Sequence, residues 1–239
     1  MKKHFSISEF LFAVIWIVLY YIGFYYADFL SEIFRAPGQL PLLLGLILSV
    51  ILFIYLRKGR LLDYYGFCDP KGSGRDYLWF IPLVLISTVN LWTGIAQNEN
   101  FLNTIIYIFS MFAVGFLEEL IFRGLLFKSL SKANLTLAIV VSTLTFGASY
   151  ILELFSGHLH GDVLLLILSE CSVGFCYTIL FYVGGSILPC ILSHAFYNAT
   201  YILTSETTYT AFVIVTVIQI LMCTGYGIWL LCHNKKSVE

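Results

Sequence analysis

The chain has 239 residues, of which 59% are hydrophobic and 11% are charged, and its net charge is −1. A soluble domain carries about 25% charged residues, so this composition excludes an ordinary soluble protein. The small net charge gives no support to a nucleic-acid partner, and no basic patch is interleaved with aromatic residues, so we expect no nucleic acid to bind.

Apolar stretches of about 18 or more residues recur along the chain, which predicts an all-α, polytopic transmembrane helix bundle of about eight spans. The predicted spans, in chain order, are 8–28, 39–56, 77–96, 102–122, 135–155, 163–183, 187–204 and 209–232. The longest predicted connection, 57–76, is too short for a soluble domain. The chain is therefore predicted to form one integral-membrane domain over 1–239, surrounded by membrane lipids.

The basic residues predict the orientation of the spans, because Lys and Arg in short connections favour the cytoplasmic side. If both termini are cytoplasmic, Arg35 alone falls outside. The basic residues that then fall inside are Lys2, Lys3, Arg57, Lys58, Arg60, Lys71, Arg75, Arg123, Lys128, Lys132, Lys235 and Lys236. This asymmetry supports both the number of spans and cytoplasmic termini.

The fourth span ends in "AVGFLEELIFRGLLF", where Glu118, Glu119 and Arg123 interrupt an apolar run. Charged side chains at membrane depth are costly, so each is a candidate functional residue. Glu119 and Arg123 are four residues apart on a helix and are predicted to pair. Glu118 is rotated about 100° away from Glu119 and has no cation nearby in sequence, so it is the candidate proton acceptor. The alternative is a structural charge cluster at the end of the span.

The seventh span contains a second polar pair, His194 and Asn198, within "SILPCILSHAFYNATYIL". The two residues are four positions apart and share one helix face. A histidine can exchange a proton near neutral pH, and a carboxamide can donate a hydrogen bond to a developing oxyanion. The alternative is that both residues only form hydrogen bonds with neighbouring helices.

Four other ionisable residues give weaker signals. Glu153 lies near the outer end of the fifth span and is expected to reach the headgroups. Glu170 lies about seven residues into the sixth span, and the sequence suggests no partner for it. His158 and His160 lie in the loop "SGHLHGD", where solvated side chains are expected, since two ligands alone are a weak metal signal.

These motifs resemble those of the CAAX-processing and bacteriocin-self-immunity intramembrane proteases, also called the Abi or type II CAAX prenyl endopeptidase family. The family shows EExxxR, FxxxH and HxxxN or HxxxD on successive helices. The first motif is complete at Glu118–Arg123 and the third at His194–Asn198, whereas the second departs, because Phe146 is followed by Tyr150 where the family has histidine. The resemblance covers a family-like core of roughly 77–204.

The resemblance implies an intramembrane endopeptidase that cleaves a membrane-associated, hydrophobic or lipid-modified peptide near the cytoplasmic face. It also implies a multi-pass protein of a bacterial cell membrane. In the predicted site, Glu118 is the base that deprotonates water, and Glu119 with Arg123 holds the shape of the site. His194 and Asn198 stabilise the oxyanion. No oligomeric state is predicted.

Tyr150 leaves two questions open. A neutral phenol is a poor base and a poor metal ligand, although it can donate a further hydrogen bond to an oxyanion. A zinc site normally needs three protein ligands, and the sequence suggests only Glu118 and His194, so we expect a glutamate-dependent site without a cofactor over a zinc metallo-endopeptidase. The alternative function is a catalytically impaired family member that acts as a binding, immunity or regulatory membrane protein.

Overall fold

The computed structural model describes residues 6–36, 38–71, 80–97, 99–148 and 160–234. Within these ranges the chain is helical and contains no strand, apart from one isolated bridge between Ile95 and Thr204. The predicted all-α class is therefore confirmed for the described residues, and a helix overlaps each of the eight predicted spans.

The helices have the following bounds. They are α1 (Ile7–Ile33), α2 (Gln39–Lys58), α3 (Ile81–Thr88), α4 (Phe101–Glu119), α5 (Leu135–Gly147), α6 (His160–Gly184), α7 (Leu188–Thr200) and α8 (Tyr209–Asn234). Helix α4 continues without a break as a π-helix over Leu120–Phe127 and as a final α-helical turn over Lys128–Leu130.

Five of the described helices are long and apolar enough to cross a membrane, namely α1, α2, α4 with its continuation, α6 and α8. Helices α3, α5 and α7 are shorter, so helix length alone supports five of the eight predicted spans. Large apolar side chains such as Ile15 and Leu221 are more than half exposed. A lipid-facing surface accounts for this exposure, and these features indicate an integral membrane protein.

The bundle is organised around α4 and α6. Helix α4 packs between α2 and α7, and α6 packs between α5 and α8. The contact between α4 and α7 is unusually close at Gly115, where a Cβ atom would lie 2.9 Å from Cα of Ala195. Small residues let membrane helices approach in this way. The close contact places the polar residues that follow Gly115 beside His194.

One end of the bundle carries most of the described basic residues outside the core. We call it the basic end and define it by Arg57, Lys58, Lys128 and Lys132. There Nζ of Lys128 donates a hydrogen bond to the carbonyl of Tyr64, and Lys132 pairs with Glu9 at the start of α1. The ends of α2 and α4 and the start of α1 therefore lie together.

The basic end is densely packed. All eight residues of the π-helix Leu120–Phe127 are buried, and the connection after α2 folds across the bundle beside them. Gly66 in this connection has a φ of +91°, and its carbonyl accepts a hydrogen bond from the amide of Ile187 at 2.9 Å. A left-handed backbone suits glycine, so this turn closes the basic end over the core.

Candidate functional site

The predicted pair of Glu119 and Arg123 is confirmed. Nη1 of Arg123 donates to Oε1 of Glu119 at 2.9 Å, and both side chains are fully buried. Nη2 of Arg123 donates to the carbonyl of Gly174 at 3.2 Å, and the guanidinium lies 4.2 Å from the centre of the Phe146 ring. Arg123 is therefore paired inside the core and adds no unpaired charge to the basic end, and its side of the membrane stays a prediction.

No sequence pattern indicated the π-helix that begins directly after Glu119 and includes Arg123. π-Helical turns are rare in proteins and frequently occur at functional sites. Here the wider turn does not disrupt the ion pair of Glu119 with Arg123.

His194 joins the two glutamates. Its Nδ1 lies 2.8 Å from Oε1 of Glu119, and its Nε2 lies 3.3 Å from Oε2 of Glu118. The imidazole is 2% exposed. A neutral imidazole has one donor nitrogen, so both nitrogens can donate to these carboxylates only when the ring is protonated. The geometry favours a role in which the His194 ring holds both carboxylates in place. The sequence had predicted a different role, in which the ring donates to an oxyanion.

Glu118 has partners that its own helix does not reveal. The hydroxyl of Tyr20 on α1 donates to Oε1 of Glu118 at 2.6 Å, while His194 on α7 faces its other oxygen. The sequence showed no cation near Glu118 on its own helix, and both of these partners come from other helices. Its side chain nevertheless keeps 14% exposure, in contrast to the fully buried Glu119.

The exposed part of Glu118 faces a cavity of about 590 Å³ that His194 and Asn198 also line. Glu118, His194 and Asn198 therefore line one cavity, and their catalytic roles stay a prediction. Among the described residues, the side chain of Asn198 has no hydrogen-bond partner. A carboxamide that lines a cavity in this way can donate to a bound group.

The same cavity contains a carboxyl group to which the sequence assigned no partner. Glu170 on α6 lines it, and the hydroxyl of Tyr197 donates to Oε1 of Glu170 at 3.0 Å. Nε2 of Gln219 on α8 donates in turn to the Tyr197 oxygen at 3.2 Å. Sequence reasoning missed Tyr197 and Gln219, because these contacts join three different helices.

The cavity extends away from the basic end. Its walls include Tyr107 on the first half of α4 and Thr216 on the first half of α8, and it reaches Thr93 and Thr204 in the connections beyond the helices. The predicted orientation places these connections outside the cell. The orientation with cytoplasmic termini and the prediction of a cytoplasm-facing site are therefore inconsistent with each other.

Some predicted residues lie outside the described ranges. These are Tyr150, Glu153 and His158. The first residue of the second motif, Phe146, is described, and its ring centre lies 5.4 Å from that of His194 in an edge-to-face arrangement. The second motif therefore begins at the site, and the role of Tyr150 stays a prediction. His160 is the first residue of α6.

A zinc ion does not fit the described residues well. They contain no group of three His, Cys, Asp or Glu side chains arranged to hold a metal ion. The two predicted ligands, Glu118 and His194, are also directed at each other, and Nδ1 of His194 faces Glu119. A zinc site that had only these two ligands would lack the third one it normally needs.

Comparison with known proteins agrees with the motifs. Residues 100–200 match the family model described as type II CAAX prenyl endopeptidase Rce1-like, and this segment contains the first and third motifs. The resemblance to the CAAX-protease family is thus confirmed over this part of the chain, and the family is one of proteases. No curated protein and no solved structure gives a significant match.

Proposed function

Because residues 100–200 match the family model of the type II CAAX prenyl endopeptidases, we propose that this chain is an intramembrane endopeptidase of that type. Its substrate is a membrane-associated or hydrophobic peptide, including a lipid-modified one. One observation carries the proposal: the Glu118 carboxylate lies on the wall of a cavity, held by Tyr20 and His194.

Glu118 is the proposed base. It takes a proton from a water molecule in the cavity while the water oxygen bonds to the carbonyl carbon of the scissile peptide. The tetrahedral intermediate then releases the amine, which receives a proton, and leaves the new carboxylic acid. The hydrogen bond from Tyr20 and the contact with His194 hold the carboxylate in one orientation, which is the usual requirement for a positioned base.

Asn198 is the proposed oxyanion donor. Its carboxamide faces the cavity, and within the described part of the chain it has no competing hydrogen bond. His194 serves instead as a positioning residue, because both of its nitrogens face glutamates. The ion pair of Glu119 with Arg123 provides a rigid support that holds His194 in place. No metal or other cofactor has a role in this scheme.

The orientation in the membrane follows from the basic residues. We propose eight spans with both termini in the cytoplasm, in a bacterial cell membrane. In this orientation the cavity faces outside, whereas the family resemblance implies cleavage near the cytoplasmic face. The dense packing of the basic end favours access to Glu118 from the outside.

Cysteine labelling distinguishes a cavity that faces the outside of the cell from one that faces the cytoplasm. In a Cys232→Ser background, Thr207→Cys places a thiol on the cavity wall, and Lys58→Cys places one at the basic end. A membrane-impermeant maleimide applied to intact cells should label Thr207→Cys, and should label Lys58→Cys only after permeabilisation. The reverse pattern would place the cavity on the cytoplasmic side. The background protein without an introduced cysteine gives the blank.

The activity itself is tested with the purified chain in detergent and a quenched hydrophobic reporter peptide. We expect cleavage that Glu118→Gln abolishes and that a zinc chelator leaves unchanged. Equal turnover by the wild type and Glu118→Gln would remove Glu118 from the mechanism. Inhibition by the chelator would show that a metal takes part.

Tyr150 supports the second candidate, a non-catalytic family member that binds a partner. The sequence replaces the family histidine at this position, and a neutral phenol is a poor base. If the wild type does not cleave but Tyr150→His gains cleavage, the chain is an impaired enzyme with an intact scaffold. If the wild type cleaves and Tyr150→His does not improve it, the second candidate fails.

A further inference from the structure

Glu170 is a second carboxyl group on the wall of the cavity that holds Glu118. It projects from α6, whereas Glu118 projects from α4, so the two groups approach the cavity from different helices. Glu170 is 3% exposed. A carboxyl group this deeply buried in a membrane bundle is costly and calls for a functional explanation.

A chain of hydrogen bonds fixes one oxygen of Glu170. Gln219 donates to the hydroxyl oxygen of Tyr197, and that hydroxyl donates its only proton to Oε1 of Glu170. Among the described residues, Oε2 of Glu170 has no hydrogen-bond partner. The carboxyl group is therefore held in place by one oxygen while the other is available to a molecule in the cavity.

Glu118 and Glu170 have different electrostatic partners. Glu118 contacts the imidazole of His194, which can carry a positive charge. Within the described part of the chain, Glu170 forms no ion pair, and its only donor is a neutral phenol. The charge of His194 acts on both carboxyl groups, but among the described residues only Glu118 is in contact with it. The carboxyl group in direct contact with a cation suits a base, and the one without that contact suits an acid.

We propose that Glu170 is the catalytic acid that protonates the leaving amine. Glu118 takes one proton from water as the hydroxide oxygen bonds to the carbonyl carbon. Glu170 gives its carboxyl proton to the amide nitrogen as the carbon–nitrogen bond breaks. The proton on Glu118 then returns to Glu170 through cavity water, so the net reaction consumes one peptide bond and one water. This inference rests on the proposed peptidase function.

As the catalytic acid, Glu170 performs a proton transfer for which the second motif no longer has its usual histidine. The family has a histidine at the position of Tyr150, and a phenol is a weak replacement for it in proton transfer. Glu170 offers a proton donor in the same cavity that does not depend on position 150. The proposal therefore predicts an active enzyme despite Tyr150.

The test compares two substrates that differ in their need for an acid. An amide must have its leaving nitrogen protonated, whereas a 4-nitrophenyl ester of the same hydrophobic acyl group leaves as a stable anion. For Glu170→Gln we expect kcat on the peptide to fall by about 10²–10⁴-fold, the usual contribution of general acid catalysis. On the ester we expect less than about tenfold loss, because that leaving group needs no proton.

The peptide pH–rate profile supplies a second readout. The wild type should lose activity at high pH as the acid loses its proton, and Glu170→Gln should not show this fall in activity. Tyr197→Phe keeps the carboxyl group and removes its hydrogen-bond donor. The fall in activity at high pH should therefore shift to a different pH without disappearing. This variant also keeps the test available if Glu170→Gln does not fold. The matched control is Glu206→Gln, which removes an exposed carboxylate and should match the wild type.

The outcomes are distinct. If the wild type fails to cleave any peptide, the proposed function fails. If the wild type cleaves and Glu170→Gln cleaves equally well, Glu170 is not the acid. If Glu170→Gln loses peptide and ester hydrolysis to the same extent, Glu170 has a structural role, and the proposal is overturned.

Discussion

The two halves of this bundle use buried charge differently. At the basic end the chain is densely packed, and the Glu119–Arg123 pair is fully buried within it. In the other half a cavity separates the helices, and Glu118, Glu170 and Asn198 line it. Glu118 and Glu119 are adjacent in sequence, yet they face these different environments. Glu119 therefore takes part in a buried ion pair of the scaffold, while its neighbour Glu118 lines the cavity.

Breaking the ion pair should have the largest effect. Arg123→Leu leaves Glu119 as a buried charge that has lost its main cation. Removing one partner of a buried pair typically costs about 3–5 kcal/mol. We expect a large fall in the free energy of unfolding, measured by thermal or denaturant unfolding in detergent.

A double-mutant cycle provides the control. Glu119→Leu with Arg123→Leu removes both charges, so the double variant should be more stable than Arg123→Leu alone. If Arg123→Leu is as stable as the wild type, the pair does not hold the packed half together.

Widening the contact between α4 and α7 should have an intermediate effect. Gly115→Ala introduces a Cβ atom 2.9 Å from Cα of Ala195, which forces the helices apart and moves His194 away from Glu118. Overpacking of this kind costs about 1–3 kcal/mol, and turnover should fall with it. The matched control is Gly225→Ala on α8, where an added Cβ meets nothing within 4 Å. Equal behaviour of the two variants would contradict the close contact.

Removing the hydroxyl that holds Glu118 should have the smallest effect. Tyr20→Phe deletes the 2.6 Å hydrogen bond, and among the described residues His194 then remains as the partner of the carboxylate. A typical intramolecular hydrogen bond contributes about 0.5–1.5 kcal/mol, so we expect a small loss in the free energy of unfolding and about a tenfold fall in kcat. Tyr25→Phe on the exposed side of α1 is the control. A fall in stability with unchanged kcat would make Tyr20 a packing residue only.

Local sequence spacing was sufficient to predict part of the site. Four-residue spacing on a helix predicted the pair of Glu119 with Arg123, and the same rule placed His194 and Asn198 on one face. These predictions succeeded because helix geometry alone decides which residues share a face. The helix positions succeeded for a similar reason, since long apolar stretches have few other outcomes in a membrane protein.

Contacts between distant parts of the chain could not be predicted in this way. Tyr20 is 98 positions from Glu118, and Gln219 is 22 positions from Tyr197. No local pattern encodes which helix packs against which, so neither contact had a sequence signal. The π-helix was missed because its residues have an ordinary helical pattern. The direction in which the cavity opens depends on which helices lie apart from each other, and this is also a property of the whole bundle.

The adjacent glutamates provide the most direct test of the different roles of the packed half and the cavity half of the bundle. Glu118→Gln and Glu119→Gln make the same chemical change one residue apart, and peptide turnover and thermal stability can be measured on both purified variants. We expect Glu118→Gln to fold like the wild type and to have no turnover, and Glu119→Gln to lose stability first. A folded Glu118→Gln that cleaves peptide as fast as the wild type would contradict the assignment of Glu118 as the base.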